Sequence, residues 1–194
     1  MAREFEICKS SHLKAGSSFA RPTQIFPNNV NINDPAITVM TDLSKVSMVV
    51  TRPNITMDTA NAKMIRYGVR MLLVLDSNDN IAGVLTASDI LGEKPIRFLQ
   101  NMGGTHADIL VRDLMKPQRE LEVFNIEDVR NANVGQIVAS LKAAGRQHGL
   151  VVAEGNDGKQ TVCGIFSVTQ VARQLRLGLD EMFSEVEAVV SLSN

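Results

Sequence analysis

The fold is decided by the stretch Gly83-Val84-Leu85-Thr86-Ala87-Ser88-Asp89, which is echoed later in the chain by Gly164-Ile165-Phe166-Ser167-Val168-Thr169-Gln170. Each stretch begins with glycine, continues with two apolar residues and a hydroxyl, and ends three residues later in an acid or an amide. Apolar, β-branched residues lead into each hydroxyl, which predicts a buried strand that ends where a helix begins. The free backbone N–H groups at such a helix start favour a phosphate or a ribose.

The two hydroxyl motifs also have a purely structural interpretation. Thr86 with Asp89, and Ser167 with Gln170, have the spacing of a capping box, in which the two residues close the start of a helix. A single capping box is common and carries little functional weight. The functional hypothesis therefore depends on the repetition of the sequence around the two motifs.

The predicted order of elements around the motifs is β-α-β-β-α, and it occurs twice. Corresponding residues are 75 residues apart at the first strand, Val46 and Leu121, and 81 apart at Gly83 and Gly164. The offset changes only at turns or element edges, where insertions are tolerated, and the loop 126–132 accounts for two of the added residues. This pattern indicates an internal duplication. The predicted elements are strands 46–51, 70–75 and 81–85 with helix 56–67, and strands 121–124, 149–153 and 161–166 with helix 133–144.

We predict an α/β (α+β) fold of two β-α-β-β-α repeats related by a pseudo-twofold axis. The repeats have separate sheets, and their helices are predicted to pack together at that axis. The expected parts are an N-terminal extension 1–35, repeats 36–92 and 108–177, a linker 93–107 with a helical stretch, and an acidic amphipathic helix 178–194. Its apolar stripe, which includes Val189 and Val190, is expected to cover the chain's own core in preference to a partner. The residues predicted to be buried are Leu73, Val74, Val84, Val151, Val152 and Ile165.

Composition excludes several classes of protein. The 194 residues carry a net charge of −1 and no tryptophan, which gives no reason to expect nucleic acid as a partner. No apolar run is long enough to span a membrane, and we expect no signal segment at 1–20. The cysteines, Cys8 and Cys163, are expected to be reduced thiols in the cytoplasm. His12 and His106 lack partners at ligand spacing, so we predict no metal site. No motif pairs a nucleophile with a base, so we predict no catalytic residues and no enzyme.

The ordered set of motifs resembles a tandem pair of cystathionine-β-synthase (CBS) domains, also called a Bateman module. The resemblance covers about 36–177, where the entries Val39-Met40-Thr41 and Val111-Arg112-Asp113-Leu114-Met115 precede the two repeats. It implies clefts between the sheets of the paired domains, which in this family hold AMP, ADP, ATP or S-adenosylmethionine. It also implies a stand-alone regulatory module that signals to an unidentified protein partner.

The resemblance implies roles for particular residues. Asp89 would accept hydrogen bonds from the ribose diol, while Thr86 and Ser88 would contact phosphate. Arg70 stands where some family members have a basic residue that reaches the phosphate, although a surface salt bridge is an equal alternative. In the second repeat Ser167 is retained but Gln170 replaces the acid. Since charge-assisted hydrogen bonds are roughly twice as strong as neutral ones, the sequence favours one stronger site, formed by Thr86, Ser88, Asp89 and Arg70.

Three points stay open at the level of sequence. The counterpart of Arg70 in the second repeat is Arg146, Gln147 or His148. The chain could instead be a ligand-free structural or dimerisation module in which both hydroxyl motifs only cap helices. A homodimer is expected through the exposed face of the two-repeat unit and the apolar stripe from Leu179 to Val190, because closed twofold pairs are the commonest oligomers.

Overall fold

A computed structural model of the chain describes residues 10–12, 14–17, 23–27 and 29–192. The short strand predicted at 4–8, Cys8 itself and the side chains of Val189 and Val190 lie outside the described parts. Within those parts the strands are β1 (Thr41–Asp42), β2 (Val50–Thr51), β3 (Met71–Leu75), β4 (Ile81–Thr86), β5 (Lys116–Pro117), β6 (Val123–Asn125), β7 (His148–Glu154) and β8 (Gln160–Ser167). The α-helices are α1 (Met57–Tyr67), α2 (Ala87–Leu91), α3 (Lys94–Met102), α4 (Val111–Leu114), α5 (Ile126–Asn131), α6 (Val134–Ala143), α7 (Val168–Leu175) and α8 (Leu179–Leu192).

The predicted α+β fold with two separate sheets is confirmed. One sheet has the order β2-β3-β4-β5 and the other the order β1-β8-β7-β6. In each sheet a parallel pair, β2 with β3 or β6 with β7, is joined to an antiparallel hairpin. The longer helices also begin and end as predicted: Thr56 and Asn133 cap α1 and α6, and Gly68 and Gly145 follow them with φ of 64° and 62°.

The segment at the start of each repeat joins the sheet of the other repeat. β1 lies near the start of the first repeat but pairs with β8 of the second, while β5 lies near the start of the second repeat but pairs with β4 of the first. The exchange is anchored by equivalent backbone hydrogen bonds, from Ala36 N to Ala132 O at 2.9 Å and from Val111 N to Ile55 O at 2.8 Å. The buried side chains follow the same exchange, since Ala36 and Val39 pack in the core of the second repeat and Val111 and Leu114 in that of the first. The domain boundaries given above remain a prediction.

The two sheets, and not the helices, meet at the centre of the molecule. Met71 and Leu73 of β3 and Val84 of β4 form one buried cluster with Leu150 of β7 and Ile165 of β8. The prediction that helices pack together at the pseudo-twofold axis was therefore wrong. The helices of each repeat cover the other face of their own sheet, because β3 and β7 are apolar on both faces and need a cover on each.

The predicted burial of the six core residues is confirmed: all of them are 8% exposed or less. The predicted apolar stripe of the C-terminal helix also packs on the chain itself. Met182 and Val186 of α8 are buried in the core of the second repeat, against residues of α6 and α7. The helix predicted within the linker is present as α3, and Gly103 follows its last residue.

Three local predictions were wrong. The strand predicted at 46–51 is limited to β2, and the strand predicted at 121–124 begins only at Val123. Residues 46–49 and 121–122 lie outside these strands and line cavities between the repeats instead. The stretch predicted as a longer loop, 126–132, contains α5, which Asn125 caps by accepting from Glu127 N at 2.9 Å and whose Val129 is buried.

The exchange can be tested with glycines at equivalent strand positions. A Cβ on Gly83 would overlap the backbone oxygen of Lys116 in β5, whereas a Cβ on Gly164 would overlap only the side chain of Met40. A methionine side chain can adopt another rotamer, but the paired strand cannot move without losing its hydrogen bonds. We therefore expect Gly83→Ala to lower the free energy of unfolding by about 1–3 kcal/mol, and more than Gly164→Ala does.

Urea unfolding of the two variants provides the measurement. Gly178→Ala is the matched control, because a Cβ there meets no atom within 4 Å. An equal loss in the Gly83 and Gly164 variants would contradict the proposed rigidity of the β4–β5 contact.

Candidate functional site

Two cavities lie between the repeats, and each is built from both of them. The first cavity, of about 410 Å³, joins the end of β4 and the start of α2 to the segment between α6 and β7. The second cavity, of about 350 Å³, joins the end of β8 and the start of α7 to the segment between α1 and β3. The duplication therefore produces a pair of equivalent cavities, each with a hydroxyl motif from one repeat and a strand start from the other.

The first cavity contains three of the predicted site residues, Thr86, Ser88 and Asp89. The capping box predicted for Thr86 and Asp89 is formed. Asp89 Oδ2 accepts from Thr86 N at 2.8 Å and from Thr86 Oγ1 at 2.6 Å, and Thr86 Oγ1 accepts from Asp89 N at 3.3 Å. Ser88 Oγ lies 3.1 Å from Thr86 Oγ1. The structural interpretation of this motif is thus confirmed as local geometry.

Asp89 also forms an ion pair. Its Oδ1 lies 2.6 Å from Lys94 Nζ, and Lys94 Nζ donates to the backbone oxygen of Leu114 at 2.9 Å. The side chain of Asp89 is 15% exposed, so both partners hold the carboxylate in a partly desolvated position. A carboxylate can accept about four hydrogen bonds, so one acceptor position of Asp89 stays available to a hydroxyl of a ligand.

The second cavity contains the other three predicted residues, Arg70, Ser167 and Gln170. The predicted capping box of Ser167 and Gln170 is not formed: Ser167 precedes α7 without a side-chain cap. Gln170 Oε1 instead accepts from Arg173 at 3.4 Å. Because Gln170 bonds to Arg173 and not to the backbone of Ser167, the capping box stays incomplete.

Arg70 does not lie with Thr86, Ser88 and Asp89, so the predicted four-residue grouping was wrong. Arg70 lines the second cavity and is not among the residues that line the first. Its backbone oxygen accepts from Ala87 N at 2.9 Å, and Gln147 O accepts from Val168 N at 2.9 Å in the second repeat. Gln147 is therefore the structural counterpart of Arg70, which decides among the three alternatives that the sequence left open.

The two cavities share a wall. Met71 and His148 line both of them, and each residue is the first of its strand, paired with Thr86 and Ser167 respectively. His148 Nδ1 is buried and has no hydrogen-bond partner among the described residues. Burial and, to a smaller extent, the charge of Arg70 lower the pKa of His148 from 6.5 to about 4, while the charge of Asp89 acts in the opposite direction. The imidazole is therefore neutral near pH 7.

Sequence reasoning missed several lining residues. Lys94, Lys116 and Glu122 belong to the first cavity, and Phe26 and Arg173 to the second. Arg173 lies three residues after Gln170, on the same face of α7. The 75-residue offset makes Glu122 the counterpart of Ser47, which lines the other cavity. Both residues could therefore have been predicted from the sequence. Phe26 and Lys94 had none, because they lie outside the repeated elements. Across the described residues no three His, Cys, Asp or Glu side chains come together as a metal site.

Comparison with known protein families gives a match to the first repeat. Residues 36–95 match the family model for the CBS domain. A search of curated protein sequences found no match to the chain. None of the helices in the described parts is long and apolar enough to cross a membrane. CBS domains are regulatory modules, which agrees with the expectation that the chain is not an enzyme.

Solved structures with this fold are CBS proteins or uncharacterised proteins. An uncharacterised conserved protein from Pyrococcus horikoshii is 23% identical over 77% of this chain and 97% of its own, with a TM-score of 0.54. CBSX2 in complex with AMP is 24% identical over 72% of this chain and 93% of its own, with a TM-score of 0.50. MJ1225 from Methanocaldococcus jannaschii, a putative archaeal homolog of γ-AMPK, is 15% identical over 72% of this chain and 49% of its own, with a TM-score of 0.51. The family match is thus limited to residues 36–95, and the chain as a whole shares the fold of tandem CBS pairs.

The buried imidazole makes a pH-dependent contribution to stability. Because the pKa of His148 is lowered on folding, the unfolded chain binds a proton more readily, and stability falls as the pH drops from 6.5 towards 4. Replacement of His148 by methionine, the residue at the equivalent position 71, removes this loss. Between pH 6.5 and pH 4 we expect the free energy of unfolding of the wild-type chain to fall by on the order of 3 kcal/mol more than that of His148→Met. Thermal unfolding at several pH values measures the difference, and parallel pH profiles would contradict it.

Proposed function

We propose that this chain is a regulatory module of the cytoplasm that binds an adenosine-derived ligand in the cleft between its two CBS repeats. The candidate ligands are AMP, ADP, ATP and S-adenosylmethionine, and the bound state is passed to a partner protein. The observation that carries the proposal is the construction of each cavity from both repeats, with a hydroxyl motif on one side and basic side chains beside it. A ligand there bridges the repeats.

The chemistry of the lining residues suits such a ligand. Thr86, Ser88 and Asp89 are the proposed contacts in the first cavity, and Arg70, Ser167 and Gln170 those in the second. Hydroxyls and carboxylates bind a ribose diol, and a guanidinium can bind phosphate with two parallel hydrogen bonds. The apolar central cluster adjoins both cavities and offers contact to the base. Both volumes lie in the range of small-molecule sites, about 300–1,000 Å³.

Two structures with the same fold support the class of ligand. CBSX2 was solved in complex with AMP, and the Methanocaldococcus jannaschii protein is described as a putative homolog of γ-AMPK. The described residues hold no cluster suited to a metal ion, so the proposal includes no metal cofactor.

A second candidate function is a structural module whose hydroxyl motifs bind no ligand. The contacts that Asp89 already makes favour this second function, since Thr86 and Lys94 use most of the hydrogen-bond acceptor capacity of its carboxylate. The second cavity offers no such argument, because Ser167 makes no capping bond there. The two functions are separated by whether an adenosine ligand binds at all.

Thermal unfolding with and without AMP, ADP, ATP and S-adenosylmethionine separates the two functions. A ligand that binds only the folded chain stabilises it by about 2.7 kcal/mol at one hundred times its dissociation constant. We expect at least one of the four to raise the melting temperature in a concentration-dependent manner, while inosine monophosphate, as a control for the adenine base, raises it less. If none does so at millimolar concentration, the structural module is the better account.

A homodimer is also proposed, through the helices of the first repeat. Their large apolar side chains are exposed, with Ile65 at 74%, Leu91 at 73% and Met102 at 73%. In the second repeat the corresponding helices are covered by α8, so the stripe of α8 is not the dimer surface. A second copy is the partner that closed twofold symmetry favours.

Sedimentation velocity tests the dimer. The chain has a mass of 21.2 kDa, and we expect a dimer at micromolar concentration that Ile65→Glu converts to a monomer. Arg66→Ala on the same helix is the control, because it changes a neighbouring exposed residue without placing a charge in the apolar surface. A wild-type chain that sediments only as a monomer would refute this assembly.

A further inference from the structure

The two cavities differ in how many of their cations are already paired. In the first cavity Lys94 is paired with Asp89 at 2.6 Å and Arg146 forms an ion pair with Glu122, which leaves Lys116 as its one cation without an ion pair in the described residues. In the second cavity the charged lining residues are Arg70 and Arg173, and no carboxylate of the described residues lines it. Neither arginine forms an ion pair within the described parts of the chain.

This difference decides where an anion gains most. A phosphate in the first cavity would compete with Asp89 and Glu122 for their cations, and both carboxylates would repel it. In the second cavity it would meet two guanidinium groups without displacing a carboxylate, since Arg173 makes only a long hydrogen bond of 3.4 Å to Gln170. Hydrogen bonds to charged groups are among the stronger ones in proteins. The charges therefore favour the second cavity.

The second cavity also has an aromatic side chain, from outside the two repeats. Phe26 is half-buried and lines it, and no aromatic residue lines the first cavity among the residues that the structure describes. Phe26 is placed by Gln24, whose Nε2 donates to Met40 O at 2.8 Å and whose Oε1 accepts from Asp42 N at 2.7 Å. Gln24 thus pairs with the backbone on both sides of Thr41 in β1 and holds residues 23–27 beside the cavity.

We infer that the second cavity is the nucleoside-phosphate site of this chain, with Phe26 against the base and Arg70 and Arg173 on the phosphate. This inference rests on the proposed function and reverses the preference for the Asp89 site that the sequence alone suggested. Stacking on an aromatic ring is available to any base, and the hydroxyl residues Thr41, Ser167 and Thr169 line the same cavity and can hydrogen-bond to a ribose.

Calorimetric titration of the full chain with AMP, adenosine and ribose 5-phosphate tests each contact. We expect Arg70→Gln and Arg173→Gln each to weaken AMP binding about tenfold or more and to leave adenosine binding within about twofold. Phe26→Leu is expected to weaken AMP and adenosine about tenfold and to leave ribose 5-phosphate unaffected. Lys116→Gln is the matched control, because it removes a cation of the first cavity that forms no ion pair in the described residues.

A fluorescence measurement gives an independent readout. Since the chain has no tryptophan, Phe26→Trp introduces a single reporter at the second cavity. Its emission is expected to change on addition of AMP or adenosine and to stay constant with ribose 5-phosphate. Melting curves of each variant without ligand establish that it is folded.

The outcomes distinguish this inference from the function on which it rests. If wild-type protein binds AMP, but Lys116→Gln weakens binding more than Arg173→Gln and the tryptophan at position 26 does not respond, the ligand occupies the first cavity. That result overturns the inference and leaves the proposed function intact. If neither AMP nor adenosine binds the wild-type protein, both are overturned.

Discussion

The face-to-face contact of the two sheets is the constraint on which the rest of the molecule depends. Met71, Leu73 and Val84 of one sheet are buried only because Leu150 and Ile165 of the other cover them. Strands β4 and β8 continue beyond the buried residues Val84 and Ile165 of this contact. Their last residues are the hydroxyl residues Thr86 and Ser167, and each of these lines one of the two cavities.

The duplication supplies two similar cavities, and single substitutions make them different. Gln147 stands where the other repeat has Arg70, and Gln170 stands where the other has Asp89. Asp89 forms a capping box with Thr86 and an ion pair with Lys94, whereas Gln170 forms neither a capping box nor an ion pair. Loss of the acid would weaken a diol contact, but it also removes a negative charge that opposes phosphate. The balance of these two effects depends on which part of the ligand contributes more binding energy.

The sequence predicted the elements and the core but not the arrangement that makes the site. Strand and helix periods are local, and they placed β3, β4, α1 and α6 nearly at their observed bounds. Exchange of β1 and β5 between the repeats is a non-local pairing, to which a residue pattern is insensitive. Arg70 precedes a strand in the same repeat as Asp89, yet it serves the other cavity, because the residues before β3 face the repeat that supplies β8. The sequence therefore found the site residues more readily than it grouped them.

The exchange also determines what a ligand in the second cavity could move. Thr41 belongs to β1, which is hydrogen-bonded into the sheet of the second repeat, while residues 46–49 lead directly into β2 in the sheet of the first. Both segments line the cavity and are joined by only a short connection. A ligand that contacts both fixes the position of one sheet against the other, with no need for a longer path of contacts. Because Met71 and His148 form a wall common to the two cavities, a shift of one sheet against the other would also change the first cavity. If the chain regulates a partner protein as proposed, that partner needs only to distinguish two relative positions of the sheets.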